Sequence, residues 1–208
     1  MPATDYLVDG PASAPLTVVL AHGAGAPMDS EFMNSFAAGV ATLGYRCVRF
    51  EFPYMADRRK TGVKKPPNRQ PILLETWRAV IDDLGVDKLV IGGKSMGGRM
   101  ASLIADDAGV CGCVALGYPF YGMGRADKPR IEHLKTLTTP TLICQGTRDT
   151  MGNYETVSAL KLSNAINIHW AEDGDHSLKT RKKSGRTEDQ THAEALSAIE
   201  HFLSGLQK

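Results

Sequence analysis

The sequence lacks what would make it a membrane, fibrous or disulfide-built protein. No run approaches the roughly 20 apolar residues needed to cross a bilayer. The best candidates, Leu16 to Ala21 and Cys111 to Gly122, are short or broken by glycine. Neither charge is in excess, because 24 Lys and Arg against 23 Asp and Glu leave +1. A general basic surplus for nucleic-acid binding is therefore absent, and no specific nucleic-acid partner is expected. Only four cysteines occur, Cys47, Cys111, Cys113 and Cys144, each inside an apolar run. That suits small buried hydrophobes in a reducing compartment, with the cytoplasm as the expected location. Cys111 and Cys113 have no second Cys or His pair at zinc-ligand spacing, so no metal is expected, and nothing calls for an organic cofactor. The 21 glycines and 11 prolines follow no period, which excludes collagen-like and low-complexity readings. Pro15 to Ala26 has the outline of a short signal peptide, but Asp5 and Asp9 precede it without Lys or Arg, so it reads as a buried strand.

What is present is 208 residues, 42% hydrophobic and 23% charged, enough for one domain over residues 1–208 with a sizeable core. Six short apolar runs read as strands buried on both faces: Leu16 to Leu20, Arg46 to Phe52, Lys88 to Ile91, Cys111 to Leu116, Thr141 to Cys144 and Ala165 to Trp170. Helical patterns separate or follow them at Ser30 to Leu43, Leu73 to Leu84, Met96 to Asp107, Ile131 to Leu137, Tyr154 to Leu162 and Glu188 to Leu206. Gly85 marks the end of the second, and Thr187 with Gln190 forms a capping box at the start of the last. Regular alternation predicts an α/β fold, a three-layer α/β/α sandwich around a mostly parallel sheet of six or seven strands. The roughly twenty residues between the fourth and fifth strands are too few for a large cap, so the site should be open.

In such sheets function collects in the loops leaving the carboxyl ends of the strands. Gly93-Lys94-Ser95-Met96-Gly97 matches G-x-S-x-G, directly after an apolar strand and at the start of a helix. That context makes Ser95 a candidate nucleophile at a strained strand-to-helix turn, which needs small residues two before and two after it. The spacings of phosphate and dinucleotide loops are absent here. A serine hydroxyl needs a base, and the base an orienting partner. Asp149 follows the fifth strand and His176 the sixth, giving the chain order Ser95, Asp149, His176. An Asx turn or helix cap is the plainer role for Asp149 alone. Asp173 and Asp175 compete as the acid. His133, His192 and His201 read as solvated helix residues, His169 as a strand residue and His22 as part of its turn. Backbone N–H groups of Met96 and Ala24 are candidate oxyanion donors, and Gly23, Ala24 and Gly25 leave room for a substrate carbonyl. Tyr118, Phe120 and Tyr121 are candidates for the acyl-pocket wall, with a core position as the alternative.

Four stretches, Val18 to Gly25, Gly93 to Gly98, Gln145 to Asp149 and Gly174 to Ser177, together resemble the α/β-hydrolase superfamily. Within it the chain is similar to small cap-less hydrolases of the dienelactone-hydrolase and testis-expressed hydrolase-like kind, over Thr17 to Leu206. The resemblance implies Ser95 as nucleophile, His176 as general base and then acid, Asp149 as its partner, and Met96 and Ala24 as oxyanion donors. It implies a serine hydrolase acting on an ester, thioester or lactone. Dienelactone hydrolases typically carry cysteine where this chain has Ser95, so their substrate does not transfer. The leading antiparallel strands of larger members are also missing, apart from a fragment near Tyr6 to Val8.

Basic residues cluster in three loops on the face that carries Ser95: Arg58, Arg59, Lys60, Lys64, Lys65 and Arg69; Arg125, Lys128 and Arg130; and Lys179, Arg181, Lys182, Lys183 and Arg186. This predicts an electropositive rim that favours anionic acyl substrates or a polyanionic partner, against the plainer reading of solvated charges. A non-catalytic interaction module with a basic docking face is the alternative function.

Overall fold

The structure, a computed structural model, describes residues 5–207, and of residues 125–127 the backbone only. In chain order the elements begin β1 (Leu7–Asp9), β2 (Thr17–Ala21), α1 (Glu31–Thr42), β3 (Arg46–Phe50), α2 (Pro53–Thr61) and α3 (Gln70–Leu84). They continue with β4 (Leu89–Lys94), α4 (Met96–Ser102), α5 (Ala105–Ala108), β5 (Gly112–Leu116), β6 (Tyr121–Gly122) and β7 (Arg125–Pro129). A 3-10 turn at Glu132–Lys135, β8 (Thr141–Gly146), α6 (Tyr154–Ser158), β9 (Ile166–Ala171), a second 3-10 turn at Lys182–Ser184 and α7 (Glu188–Gly205) complete the chain.

Seven strands form one sheet in the order β1-β3-β2-β4-β5-β8-β9, and only β1 runs antiparallel to its neighbour. Period-two alternation gives each face its own core. Val18 and Leu20 of β2 join Val90, Val114, Leu142 and Cys144 beneath α1 and α7, whose Phe36, Val40, Ile199 and Leu203 fill that side. Val19 and Ala21 face the other way, with Ile91, Ala115 and Ile143, against Trp77 and Val80 of α3 and Met100 of α4. All six expected strands are present within a residue or two at most ends. The fragment near Tyr6 is β1, whose Asp9 pairs with Arg49 at 2.8 Å.

Two expectations need correction. The helix expected over Met96 to Asp107 is two, because the chain turns at Leu103 and Ile104 before α5. The stretch Ile131 to Leu137 forms only a 3-10 turn. Two elements were not expected at all, α2 and the β6–β7 hairpin, the latter lying outside the main sheet. The capping box does form: the Thr187 side chain accepts from Gln190 N and the Gln190 side chain from Thr187 N. Among the described residues no helix is long and apolar enough to cross a membrane.

Candidate active site

The chain changes direction across the sheet between β2 and β4, so the crevice above their carboxyl ends is the point where ligands collect in open α/β sheets. Ser95 stands there, immediately after β4, with φ 50 and ψ −112. This backbone conformation is costly for a residue with a Cβ, and it lifts the hydroxyl out of the strand line. Gly93 and Gly97 make it buildable: a Cβ on either would overlap the carbonyl oxygen of Ala21 on β2. Ser95 N in turn donates to Leu116 O at 3.0 Å, which fixes the turn to β5.

Loops from two other strands meet it. His176 Nε2 lies 2.8 Å from Ser95 Oγ, and His176 Nδ1 lies 2.7 Å from Asp149 Oδ2. The carboxylate is fully enclosed, whereas the imidazole keeps 26% of its surface exposed. The other two acids are engaged elsewhere. Asp173 is held by Arg181 and Arg148, which keep its carboxyl down at about 2. Asp175 accepts from Ser177 N at 2.8 Å and Lys179 N at 3.0 Å and so shapes the loop that carries His176.

A residue that the sequence did not single out holds the acid. Gln145, wholly buried at the end of β8, donates from Nε2 to Asp149 Oδ2 at 2.8 Å and to Gly152 O at 2.9 Å, and its Oε1 accepts from Tyr118 N at 2.7 Å. Met151 N donates to Asp149 Oδ1 at 2.7 Å. A glutamine inside an apolar strand, four residues before the acid, is the sequence signal that points to it. Replacing it with leucine would leave buried main-chain groups of Tyr118 and Gly152 without partners. Gln145→Leu is expected to lower stability by about 3 kcal/mol in urea unfolding, the scale of a few such orphaned groups.

The Gly23 to Gly25 segment is pinned through its carbonyls. Tyr54 of α2 donates to Ala24 O at 2.9 Å and Gly23 O at 3.3 Å, and Arg58 donates to Gly25 O at 3.3 Å. His22 is buried, its Nε2 accepting from Phe52 N at 3.1 Å, and burial lowers its pKa, so it is a neutral turn residue as expected. Among the described residues no acceptor takes the N–H of Ala24 or of Met96. Both N–H groups are thus left without an acceptor inside the described chain.

Several expectations fail against burial. Tyr118 and Phe120 have no exposed surface and pack tilted at 4.8 Å in the core, so neither lines an open pocket. The chain turns inward after Gly117, and Tyr118 OH reaches Arg130 O at 3.2 Å. A groove of about 380 Å³ lies instead between the hairpin and the Asp149 loop, lined by Tyr121, Gly122, Asn153 and Thr156. His192 is buried against Phe32 and Phe36, and His133 is half-buried beside Ser102, where desolvation holds it down to about 4. Of the three helix histidines expected in solvent, His201 is exposed. The thiols of Cys47, Cys113 and Cys144 are pushed up to about 12 by burial, so they stay protonated and offer no rival nucleophile.

Five of the thirteen described basic side chains of the rim are paired with carboxylates. Arg59 forks onto Asp29 and Glu51, Lys65 meets Asp57, Lys179 meets Glu188, and Arg186 and Arg181 bind Glu194 and Asp173. The Arg125 side chain lies outside the described residues.

A family model described as an alpha/beta hydrolase domain matches residues 14–204. Similar solved structures include a lid-less α/β serine hydrolase of Xanthomonas campestris, at 17% identity over 97% of this chain and 88% of that one, with a TM-score of 0.67. An α/β serine hydrolase homologue of Coxiella burnetii follows at 20% identity, 96% and 89% coverage and a TM-score of 0.66. Est1E of Butyrivibrio proteoclasticus aligns at 14% identity over 98% and 94%, with a TM-score of 0.71.

Proposed function

The chain belongs to the alpha/beta hydrolase family, and from that premise we propose that it is a serine hydrolase, acting as a single cytoplasmic domain on a carboxylic ester or related acyl bond such as a thioester or lactone. Ser95 Oγ attacks the acyl carbon while its proton passes to His176 Nε2. The negative charge that forms on the acyl oxygen is met by the N–H groups of Ala24 and Met96. His176 then gives the proton to the departing alkoxide or thiolate, leaving an acyl group on Ser95. Water enters, loses a proton to the same imidazole and attacks the acyl carbon; the Oγ–acyl bond then breaks, Ser95 Oγ takes the proton back from His176, and the carboxylic acid is released. Asp149 holds the imidazole in the tautomer with the proton on Nδ1 and stabilises the imidazolium.

The observation that carries this reading is the relay of 2.8 and 2.7 Å contacts from Ser95 through His176 to an enclosed Asp149, on a backbone turn no ordinary serine adopts. The three likenesses to solved structures, at 14–20% identity, would not by themselves carry it. With only part of the rim paired, anionic acyl substrates fit the reading as readily as small neutral ones. A fluorophosphonate reagent tests the reading without knowledge of the natural substrate, since it reports an activated serine. The expected result is a single adduct at Ser95 by mass spectrometry, absent from His176→Ala. Folded protein that takes no label would refute the enzyme and favour a docking module on a retained hydrolase fold.

A further inference from the structure

One charged group at the centre of this site has no part in the reaction as written. Lys94, between Gly93 and Ser95, donates from Nζ to the main-chain carbonyl of His176. Its ammonium lies 5.2 Å from the ring centroid of Phe32 on α1, behind which stands His192 of α7 at 5.4 Å ring to ring. Asp149, in the loop after β8, and Asp175, in the loop after β9, act on it electrostatically. Gly117, with φ +67, leaves the room: a Cβ there would stand 2.7 Å from Nζ and overlap the His176 carbonyl oxygen. A Cβ on Gly23, in the loop that also holds neutral His22, would touch the lysine stem at 3.3 Å. A lysine threaded between three loops, with its head on the backbone of the very residue that must meet Ser95, is placed at a desolvation cost that a surface lysine does not bear.

We propose that Lys94 is the positioning residue for the base: by tethering the His176 carbonyl to the elbow, its ammonium sets where the imidazole meets Ser95 Oγ. This rests on the reading of His176 as the base. The tether is a charge-assisted hydrogen bond, stronger than one from a neutral amine. Desolvation lowers Lys94 to about 8, so the charged tether is present below that pH and is lost as pH rises through it. Its effect on stability has the opposite sign. Because the folded value lies below the ordinary 10.5, the unfolded chain binds more protons between about 8 and 10.5, and stability gains from this group as pH rises there.

The test compares wild type with Lys94→Met, a substitution of similar length that removes the charge. Fluorophosphonate labelling rates are measured from about pH 6.5 to 9.5, together with the low-field proton resonance of the His176 Nδ1–H and the urea midpoint. The expected result is a variant at least as stable as wild type at pH 7 yet labelled about tenfold more slowly, with the gap closing above about pH 8 as the wild type loses its own tether. A displaced or broadened resonance in the variant accompanies it. A purely structural lysine would instead lower stability and leave the pH dependence of the gap flat. Equal labelling at pH 7, or a gap unchanged to pH 9.5, overturns the proposal. If the wild type takes no label, the hydrolase reading falls instead, and the resonance decides the tether: unchanged in Lys94→Met, it overturns that as well.

Discussion

Ser95→Ala is expected to bring turnover of an activated ester down to the level of buffer, a fall on the order of 10⁶-fold, because the members of such a relay act as one unit and nothing replaces the attacking oxygen. The protein should stay folded. Alanine keeps the Cβ and therefore keeps the strain at φ 50, ψ −112, so its unfolding midpoint should remain close to that of wild type. Ser95→Gly separates the two roles of the position. It is equally inactive, yet the left-handed backbone no longer opposes a side chain, and it should gain about 1 kcal/mol after the extra chain entropy of glycine is counted. Urea unfolding of the three proteins beside their ester rates makes the check. A serine whose removal by alanine leaves the rate intact is not the nucleophile, and a glycine variant no more stable than alanine would mean that the turn stores no strain.

Asp149→Asn should cost about 10⁴-fold in turnover, for a reason that the surroundings of the carboxylate define. Oδ2 accepts from both His176 Nδ1 and Gln145 Nε2, while Oδ1 accepts from Met151 N. An asparagine amide has one acceptor oxygen to offer. With its nitrogen at the Oδ2 position it faces the donating amide of Gln145 and takes up the Nδ1 lone pair of the wrong imidazole tautomer, which leaves Nε2 protonated and unable to receive the serine proton. With its nitrogen at the Oδ1 position it meets the Met151 N–H head-on, and the imidazolium loses its counter-charge. Both arrangements fail, so the loss should appear in turnover with a smaller loss of stability. Retention of more than a tenth of the wild-type rate would show that another acid serves His176.

The proposed triad is legible because each member sits at the end of an apolar run, and runs of Val, Ile, Leu and Cys place strand ends well. Ser95 carried its glycines with it. Asp149 was separable from Asp173 and Asp175 only by the loop it occupies, and their separate engagements with Arg181 and with main-chain amides explain why sequence proximity to His176 does not win. Helix α2 escaped notice because only Tyr54 and Met55 of its nine residues are buried, leaving no apolar stripe; Pro53 at its start and Gly62 at its end, with Arg58, Arg59 and Lys60 in the last turn, were the signals available. Gln145 stands out in the sequence only as a polar residue inside an apolar strand, and Lys94 could not be weighted because it acts through the main chain of His176, 82 residues away. His192 and Tyr118 show the converse: a histidine in a helix pattern reads as solvated, and an aromatic after a strand as a pocket wall or core residue, until the packing of Phe32, Phe36 and Phe120 around them is known.

The sheet ends differently on its two sides. At one margin β1 lies antiparallel against β3 and the Asp9–Arg49 pair clasps it. At the other, β9 pairs with β8 alone among the described residues, and its six residues include half-buried Ile166, Ile168 and Trp170. That margin offers a row of main-chain donors and acceptors to any extended chain that meets it, with apolar side chains ready to follow. Self-association on warming or at high concentration would therefore begin by strand addition at β9, the strand whose following loop carries His176.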